Sequence, residues 1–177
     1  NQVDSDKLEG TLIADGLVAA QSADDADVVV VNTCAFIEEA RTESIETILS
    51  LSEQRRDGAK LVVTGCMAER HGAELAAELP EIDQIAPFGV ALAVGAPSSA
   101  VSVSLGPTRR APDFDLLNLP RPASARPWAY VKIAEGCDRA CGFCAIPSFR
   151  GPQRSRSLDQ ILAEVDQLAA QEIVLVA

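Results

Sequence analysis

Three cysteines stand close together in the last third of the chain, with the spacing C-x-x-x-C-x-x-C. A four-iron cluster usually takes four cysteine thiolates. Three thiolates from one short loop would leave one iron with an open position, and an open position on a metal is where a ligand or substrate binds. Cys137, Cys141 and Cys144 therefore predict a reactive iron–sulfur cluster rather than a purely structural one.

A zinc site is the alternative for these three cysteines. Structural zinc is usually four-coordinate, with a further Cys or His from nearby. His71 is the only histidine of the chain, and no Cys or His follows Cys144. The iron–sulfur interpretation is therefore preferred, and a non-catalytic iron–sulfur or zinc-binding module stays as the rival.

Strand-like and helical segments alternate through the first half of the chain. Apolar runs at Val28–Val31 and Lys60–Thr64 are typical of strands buried on both faces, and a third strand is expected at Ile82–Ile85. Helical spacing extends from Phe36 to about Arg56 and from Ala68 to Leu79. This alternation predicts an α/β fold with a parallel sheet, flavodoxin-like or Rossmann-like, covered by helices.

Cys34 and Cys66 each follow one of the two longer strand-like runs. The carboxyl ends of parallel strands meet at one edge of a sheet, where ligands bind. Both thiols are therefore expected at that edge, at helix N-termini that favour the thiolate form. For either cysteine alone, a buried core position is the plain alternative.

The remaining segments predict how this sheet is flanked. Residues 4–16 predict an amphipathic helix, and residues 17–20 a short strand. A proline-rich stretch at 96–127 predicts a linker between a first domain at 1–95 and a second that starts at residue 128. The second domain should begin with one strand–loop–helix–strand unit, with these elements: a strand at Trp128–Ala134, the cysteine loop, a helix at Leu158–Ala169 and a strand at Glu172–Val176.

Charge is unevenly distributed along the chain. Residues 1–105 carry a net charge of −12 and residues 106–177 a net charge of +1. An acidic surface disfavours contact with phosphate backbones and favours a basic partner. The odd count of five cysteines disfavours a disulfide framework. The sequence contains no run of eighteen apolar residues, so no membrane-spanning helix is expected. Reduced thiols in the cytoplasm fit this composition.

The cysteine loop and its flanks resemble the radical S-adenosylmethionine (SAM) enzymes of the methylthiotransferase family. Six stretches carry the resemblance: Trp128–Cys137, Cys144–Gly151, Arg154–Arg156, Thr11–Gly16, Asn32–Ile37 and Val63–Ala68. Within the family, Asp138-Arg139 and the run Ser148–Gly151 resemble the branch that modifies a ribosomal protein, the RimO type. The alternative is the branch that modifies transfer RNA, the MiaB type.

This resemblance implies two 4Fe–4S clusters and SAM as cofactors. It places the radical SAM cluster on Cys137, Cys141 and Cys144, with Phe143 packed beside the cluster and the adenine. It places an auxiliary cluster on Cys34 and Cys66, whose third ligand is expected three residues before the first residue of this sequence. The segment from residue 128 resembles the opening of the radical SAM partial TIM-type barrel.

The implied reaction adds a methylthio group to the β-carbon of an aspartate in ribosomal protein twelve of the small subunit. Its partners would be that basic protein and an electron donor; the alternative is a transfer RNA carrying isopentenyl-adenosine. Because the family's domains extend further than these 177 residues, we expect the segment by itself to be inactive.

Several polar residues near the cysteines stay open at this stage. Arg150, Arg154 and Arg156 either approach a substrate carboxylate or form simple ion pairs on a solvated loop. Lys132 lies on a predicted strand, and alternation does not decide its face. Asn32 and Thr33 either bond to the sulfurs or cap the next helix.

Overall fold

The computed structural model describes residues 2–87 and 116–177. Contacts divide the chain into two compact units: Ala20–Thr108, here called the three-stranded unit, and Asn1–Ala19 with Arg109–Ala177, here called the cysteine-loop unit. The helices are α1 Gln2–Ala14, α2 Glu38–Gln54, α3 Cys66–Glu78, α4 Ile146–Phe149 and α5 Leu158–Leu168. The strands are β1 Val28–Thr33, β2 Lys60–Gly65, β3 Gln84–Ala86, β4 Trp128–Lys132, β5 Ala134–Glu135, β6 Arg154–Ser155 and β7 Glu172–Val176.

The three-stranded unit contains a parallel sheet with the strand order β1-β2-β3. Val28 pairs with Lys60 at one end of β1 and β2, and Thr33 pairs with Gly65 at the other. The β2 residues Leu61 and Val63 are fully buried, as expected for a central strand covered on both faces. The predicted α/β fold with a parallel sheet is confirmed, and β3 lies slightly later than the sequence indicated.

The strand predicted at residues 17–20 was wrong. The backbone N–H of Gly16 donates to the carbonyl of Ile13, and that of Leu17 donates to Leu12. These two bonds complete the C-terminal cap of α1, so the amide of Leu17 is not available to a sheet. Val18 is 91% exposed, and a strand there would have no core to cover.

The cysteine-loop unit is built on two parallel strands, β4 and β7, with α5 between them in the chain. Ala129, Val131 and Leu168 form its buried core, and the partly buried Ile161, Val165, Ala170 and Ile173 pack against them. Helix α5 begins with a capping box in which the Ser157 hydroxyl accepts from the Gln160 amide. This is the predicted strand–loop–helix–strand order.

The strand predicted at Trp128–Ala134 is divided at Ile133. β4 pairs with β7, whereas β5 pairs antiparallel with β6, Ala134 opposite Ser155 and Glu135 opposite Arg154. Ile133 itself donates to the carbonyl of Val176 and accepts from the amide of Arg156. The chain therefore changes partner at one residue, and β5 with β6 closes the segment that carries the three cysteines.

Helix α1 belongs by its contacts to the cysteine-loop unit and not to the strands that follow it in sequence. Its Lys7 ammonium, fully buried, lies 3.2 Å from the Glu164 carboxylate on α5 and 2.5 Å from the carbonyl of Leu117. The predicted boundaries at 1–95, 96–127 and 128–177 are thus crossed by one helix, because its polar residues find their partners late in the chain. The predicted linker lies largely outside the described residues.

Among the residues that the structure describes, no helix has the length and apolar character needed to cross a membrane.

Candidate metal centres

The three closely spaced cysteines lie on one excursion of the chain between β5 and β6. All three are free thiols; Cys141 is exposed, and Cys137 and Cys144 are partly buried. The amide of Cys144 donates to the carbonyl of Cys141 at 3.2 Å, which makes a tight turn around the last two cysteines. The short helix α4 follows and returns the chain towards β6.

The excursion is closed at its base, which we call the neck, by a close approach of two backbone segments. Gly136 has φ +79°, and a Cβ at this position would lie 2.3 Å from the carbonyl oxygen of Pro152. The amide of Cys137 donates to the carbonyl of Gly151 at 3.1 Å. Only glycine combines this backbone angle with so short a contact, so the first cysteine is held where the neck closes.

Two residues that distinguish the motif shape the loop itself. The Asp138 carboxylate accepts from the backbone N–H of Gln153 at 2.9 Å, which ties the two sides of the loop together. The backbone N–H of Arg139 points at the Cys137 sulfur, 3.4 Å away.

The donor set of the loop fits an iron–sulfur cluster by its chemistry. Soft thiolates select iron–sulfur clusters, zinc or copper(I), and the described surroundings supply no imidazole. Within residues 2–87 and 116–177, no group of three His, Cys, Asp or Glu side chains is gathered closely enough to hold a metal ion. The structure thus shows three free thiols on one closed loop, and these thiols are not gathered into a metal-binding group.

Phe143 lies beside the third cysteine with 93% of its surface exposed. A phenyl ring packed into its own loop would be largely covered, so loop packing does not explain this side chain. Whether this ring packs beside a cluster or the adenine stays a prediction.

Two of the arginines after the loop, Arg150 and Arg156, are ion-paired and have little side-chain exposure. Arg150 contacts Glu135 at 3.2 Å and Arg156 contacts Glu164 at 2.5 Å. Arg156 is only 3% exposed in its side chain, so neither a solvated loop nor a substrate contact describes it. The side chain of Lys132, whose face was undecided, also turns to carboxylates within this unit.

The other two cysteines lie at one edge of the parallel sheet, as predicted. Thr33 and Gly65 are paired in register, and Cys34 and Cys66 are the next residues of their strands. Cys66 is buried and begins α3, whereas Cys34 is partly buried. Cys34 does not lie at a helix N-terminus: α2 begins four residues later, at Glu38, and the prediction for this thiol was wrong in that respect.

The ends of β1 and β2, which these two cysteines follow, lie in close contact. Gly65 has φ +94°, and a Cβ there would lie 2.4 Å from the carbonyl oxygen of Thr33. The Thr33 hydroxyl donates to the carbonyl of Thr64 at 2.6 Å, so it joins the strands and neither bonds a sulfur nor caps a helix. Any larger residue at 65 would separate the strand ends that carry the thiols.

Ser44 is a supporting residue that the sequence did not reveal. Its hydroxyl accepts from the backbone N–H of Cys34 at 3.2 Å and donates to the carbonyl of Ala40 at 2.7 Å. It therefore connects the first cysteine of the sheet edge to helix α2. A serine within a helix gives no periodic signal, and only its burial marks it.

Two family models match the chain. The model of Uncharacterized protein family UPF0004 matches residues 1–87, and the model of the Radical SAM superfamily matches residues 131–177. The first region contains the sheet-edge cysteines and the second contains the cysteine loop.

Curated relatives match the whole chain. The ribosomal protein uS12 methylthiotransferase RimO of Myxococcus xanthus (strain DK1622) is 45% identical over all of this chain and 38% of that protein. Its counterpart in Anaeromyxobacter sp. (strain K) is 47% identical over all of the chain and 39% of the protein. The counterpart in Thermotoga maritima is 41% identical, again over the whole chain and 42% of the protein. The chain thus spans about two fifths of the length of these relatives.

Proposed function

Since the whole chain is a relative of the radical SAM methylthiotransferases, we propose that it acts in the transfer of a methylthio group to a ribosomal protein. The observation that carries the proposal is the cysteine loop: three free thiols at C-x-x-x-C-x-x-C spacing on a loop whose neck is closed. The similarity of the whole chain to about two fifths of the uS12 methylthiotransferases supports the same reaction.

Cys137, Cys141 and Cys144 would hold a 4Fe–4S cluster with one open iron. A cluster bound there would supply the one-electron reduction of SAM, which cleaves it to methionine and a 5′-deoxyadenosyl radical. The chain's own part is to hold the thiols and to shield the site. The Arg139 amide donates to the Cys137 sulfur, and the neck fixes the start of the loop.

Phe143 would cover the adenine of SAM or the cluster. Its ring is 93% exposed in the chain alone, and burying it against a flat ligand would stabilise binding by the area removed from water. Removing the ring should therefore weaken SAM binding and leave the thiols in place.

Cys34 and Cys66 would hold the auxiliary cluster that provides the sulfur. Their placement directly after adjacent strand ends supports this role, because the register and the close contact at Gly65 hold those two strand ends together. Two thiolates do not complete a cluster, so a further ligand has to join them. The separate sets of cysteines account for two clusters rather than one.

The substrate we propose is an aspartate of ribosomal protein uS12, modified at its β-carbon. The relatives carry this protein in their names, and the net charge of −12 over residues 1–105 suits a basic protein partner better than a phosphate backbone. The reaction also needs an external electron donor. Free thiols and clusters of this kind suit the reducing cytoplasm.

Because these 177 residues are expected to be inactive by themselves, the experiment uses this sequence within a protein of the full length of its relatives. That protein is reconstituted anaerobically with iron and sulfide, and SAM cleavage and the mass of offered substrates are then measured. We expect cleavage of SAM and a mass gain of one methylthio group on uS12. Cys144→Ser should abolish SAM cleavage, whereas Cys66→Ser should keep SAM cleavage and lose the transfer. Ser148→Ala, an exposed change in the same loop, is the matched control and should retain both.

The outcomes separate the rival functions. Transfer to a transfer RNA alone would overturn the choice of substrate. A colourless protein that binds zinc and never cleaves SAM would overturn the enzyme proposal and favour a metal-binding module.

A further inference from the structure

Four charged side chains form a closed ring beneath the neck of the cysteine loop; we call Asp4, Lys132, Glu135 and Arg150 the charge ring. The Asp4 carboxylate lies 2.6 Å from the Lys132 ammonium and 2.9 Å from the Arg150 guanidinium. Glu135 lies 2.7 Å from Lys132 and 3.2 Å from Arg150. Each charge therefore touches two charges of opposite sign.

The charge ring is shielded from water, and its most buried member comes from helix α1. Asp4 is 1% exposed, whereas the other three side chains are 12–13% exposed. Burial would raise the pKa of Asp4, but the charges of Arg150 and Lys132 outweigh it and hold the pKa below its ordinary value. A buried carboxylate that stays ionised depends on such partners, and they in turn depend on it.

Two members of the charge ring stand at the two ends of the cysteine loop. Glu135 lies two positions before Cys137, and Arg150 lies six positions after Cys144. Lys132 lies on β4, so the ring joins the sheet, the start of the loop and its end. Asp4 is the one member outside this segment, 128 residues from Lys132 in the chain.

We propose that Asp4 is a positioning residue for the cysteine loop: its carboxylate holds Lys132 and Arg150 so that the neck closes and the three thiols face the site together. Without it, two cations would be left beside the single carboxylate of Glu135. Repulsion between Lys132 and Arg150 would then move Arg150, and with it the end of the loop, away from β4. That the loop carries a cluster rests on the proposed function, whereas the closing of the neck by Asp4 does not.

The test measures amide hydrogen exchange in the metal-free full chain, prepared anaerobically. Asp4→Asn keeps the shape of the side chain and removes its charge. We expect the protection of the Cys137 amide, which donates to Gly151, to fall by about tenfold, since a buried charge that loses its partner is strongly destabilising. Protection in the three-stranded unit should stay unchanged. Asp4→Glu, which keeps the charge, should restore part of the protection of the Cys137 amide.

Asp6→Asn is the matched control, because Asp6 lies on the same helix and pairs with Arg121 rather than with the charge ring. It should leave the exchange of the Cys137 amide unchanged. Equal loss of protection at the neck in both variants would mean that α1 has simply detached, and it would overturn the proposal, as would unchanged exchange in Asp4→Asn. Should Asp4→Asn fail to fold, Arg150→Met removes the partner of Asp4 at the end of the loop and carries the same expectation and the same control.

A second measurement separates this inference from the proposed function. In the chain reconstituted with iron and sulfide, Asp4→Asn should broaden the electron paramagnetic resonance signal of the reduced loop cluster, because its thiols are held in more than one arrangement. A neck that opens in the metal-free chain while no cluster ever forms would retain the inference and overturn the function. A cluster that forms beside an unchanged neck would do the reverse.

Discussion

The two sets of cysteines are held by different kinds of force. At the sheet edge, Cys34 and Cys66 follow strands whose register, hydrogen bonds and apolar core fix their position. At the loop, Cys137, Cys141 and Cys144 lie on a segment without a core of its own, tied at its neck by ion pairs and one backbone hydrogen bond. The first arrangement depends on packing and the second on charge.

This difference suits two tasks. A site that only stores a group benefits from a rigid frame, and parallel strands provide one because every backbone group is already paired. A site that must admit a ligand as large as a nucleotide benefits from a loop whose outer part stays open. Both nevertheless begin with a glycine in close backbone contact, Gly65 at the sheet edge and Gly136 at the neck.

The largest effect expected is at Glu164, which distinguishes charge from packing in the cysteine-loop unit. Its carboxylate contacts Lys7, Arg121 and Arg156 at 3.2, 3.3 and 2.5 Å. Glu164→Gln takes from the buried Lys7 and Arg156 the carboxylate that they contact, while Arg121 keeps its contact with Asp6. The variant should destabilise this unit by about 3–5 kcal/mol in urea unfolding. The exposed Glu172→Gln should change the free energy of unfolding by less than about 0.5 kcal/mol.

Gly65→Ala tests the packing half of the comparison. Gly58 also has a positive φ, of 82°, but a Cβ there meets nothing within 4 Å. Gly58→Ala should therefore cost only the backbone strain of about 1–2 kcal/mol, and Gly65→Ala should cost roughly 1–3 kcal/mol more because of the clash with Thr33. Thermal unfolding of the two variants measures the difference, and equal costs would disprove a steric requirement at the sheet edge.

Acid should weaken the loop before the sheet edge. The pKa of Asp4 is lowered from its ordinary value of 3.8 because Arg150 and Lys132 outweigh the effect of burial. A lowered carboxyl pKa means that its stabilising contribution is complete above pH 3.8 and is lost as the pH falls through the folded-state pKa. The gap in free energy of unfolding between the wild type and Asp4→Asn should accordingly narrow below pH 3.8.

Ser44→Ala should have a smaller effect, confined to the sheet edge. It removes the acceptor of the Cys34 amide and should cost about 1 kcal/mol in the free energy of unfolding. Alkylation of Cys34 in the metal-free chain should become faster, whereas that of Cys141 should not change. Ser50→Ala, at an exposed position of the same helix, is the control and should alter neither rate.

The smallest effect is expected for Lys7→Met, which sharpens the contrast with Glu164. Burial lowers the pKa of Lys7. The charges of Arg156 and Arg121 act in the same direction, whereas the Glu164 carboxylate opposes them, so keeping Lys7 charged costs free energy. Because Glu164 keeps two other cations, the variant should lie within about 1 kcal/mol of the wild type. The depressed pKa further predicts that the wild type gains stability relative to the variant as the pH rises towards 10.5.

Local patterns in the sequence were enough for the elements of the sheet and for the cysteines. The β-branched run at Val28–Val31 and the apolar run at Leu61–Val63 mark buried strands whatever surrounds them, and a cysteine after such a run must lie at the carboxyl edge. The spacing of the cysteine loop is likewise a local signal. That these residues hold clusters remains a prediction.

The charge ring and the hub at Glu164 could not be read in advance, because pairing between distant residues leaves no periodic trace. Asp4 looks like an ordinary acidic residue in the first turn of a helix, and Lys132 like a polar residue on a half-exposed strand. The division of the predicted strand at Ile133 has the same origin: its two halves find different partners, β7 and β6, and only the fold identifies them.

Helix α1 has a consequence for the order in which the protein forms during synthesis. Its Lys7 contacts Glu164 across 157 positions of sequence, so this buried ion pair cannot form until α5 has been synthesised. The strands β1, β2 and β3, which all lie between residues 28 and 86, can pair long before then. The sheet of the three-stranded unit is therefore expected to form first. The cysteine loop is expected to take its final position only after α5 has been synthesised and has packed against α1.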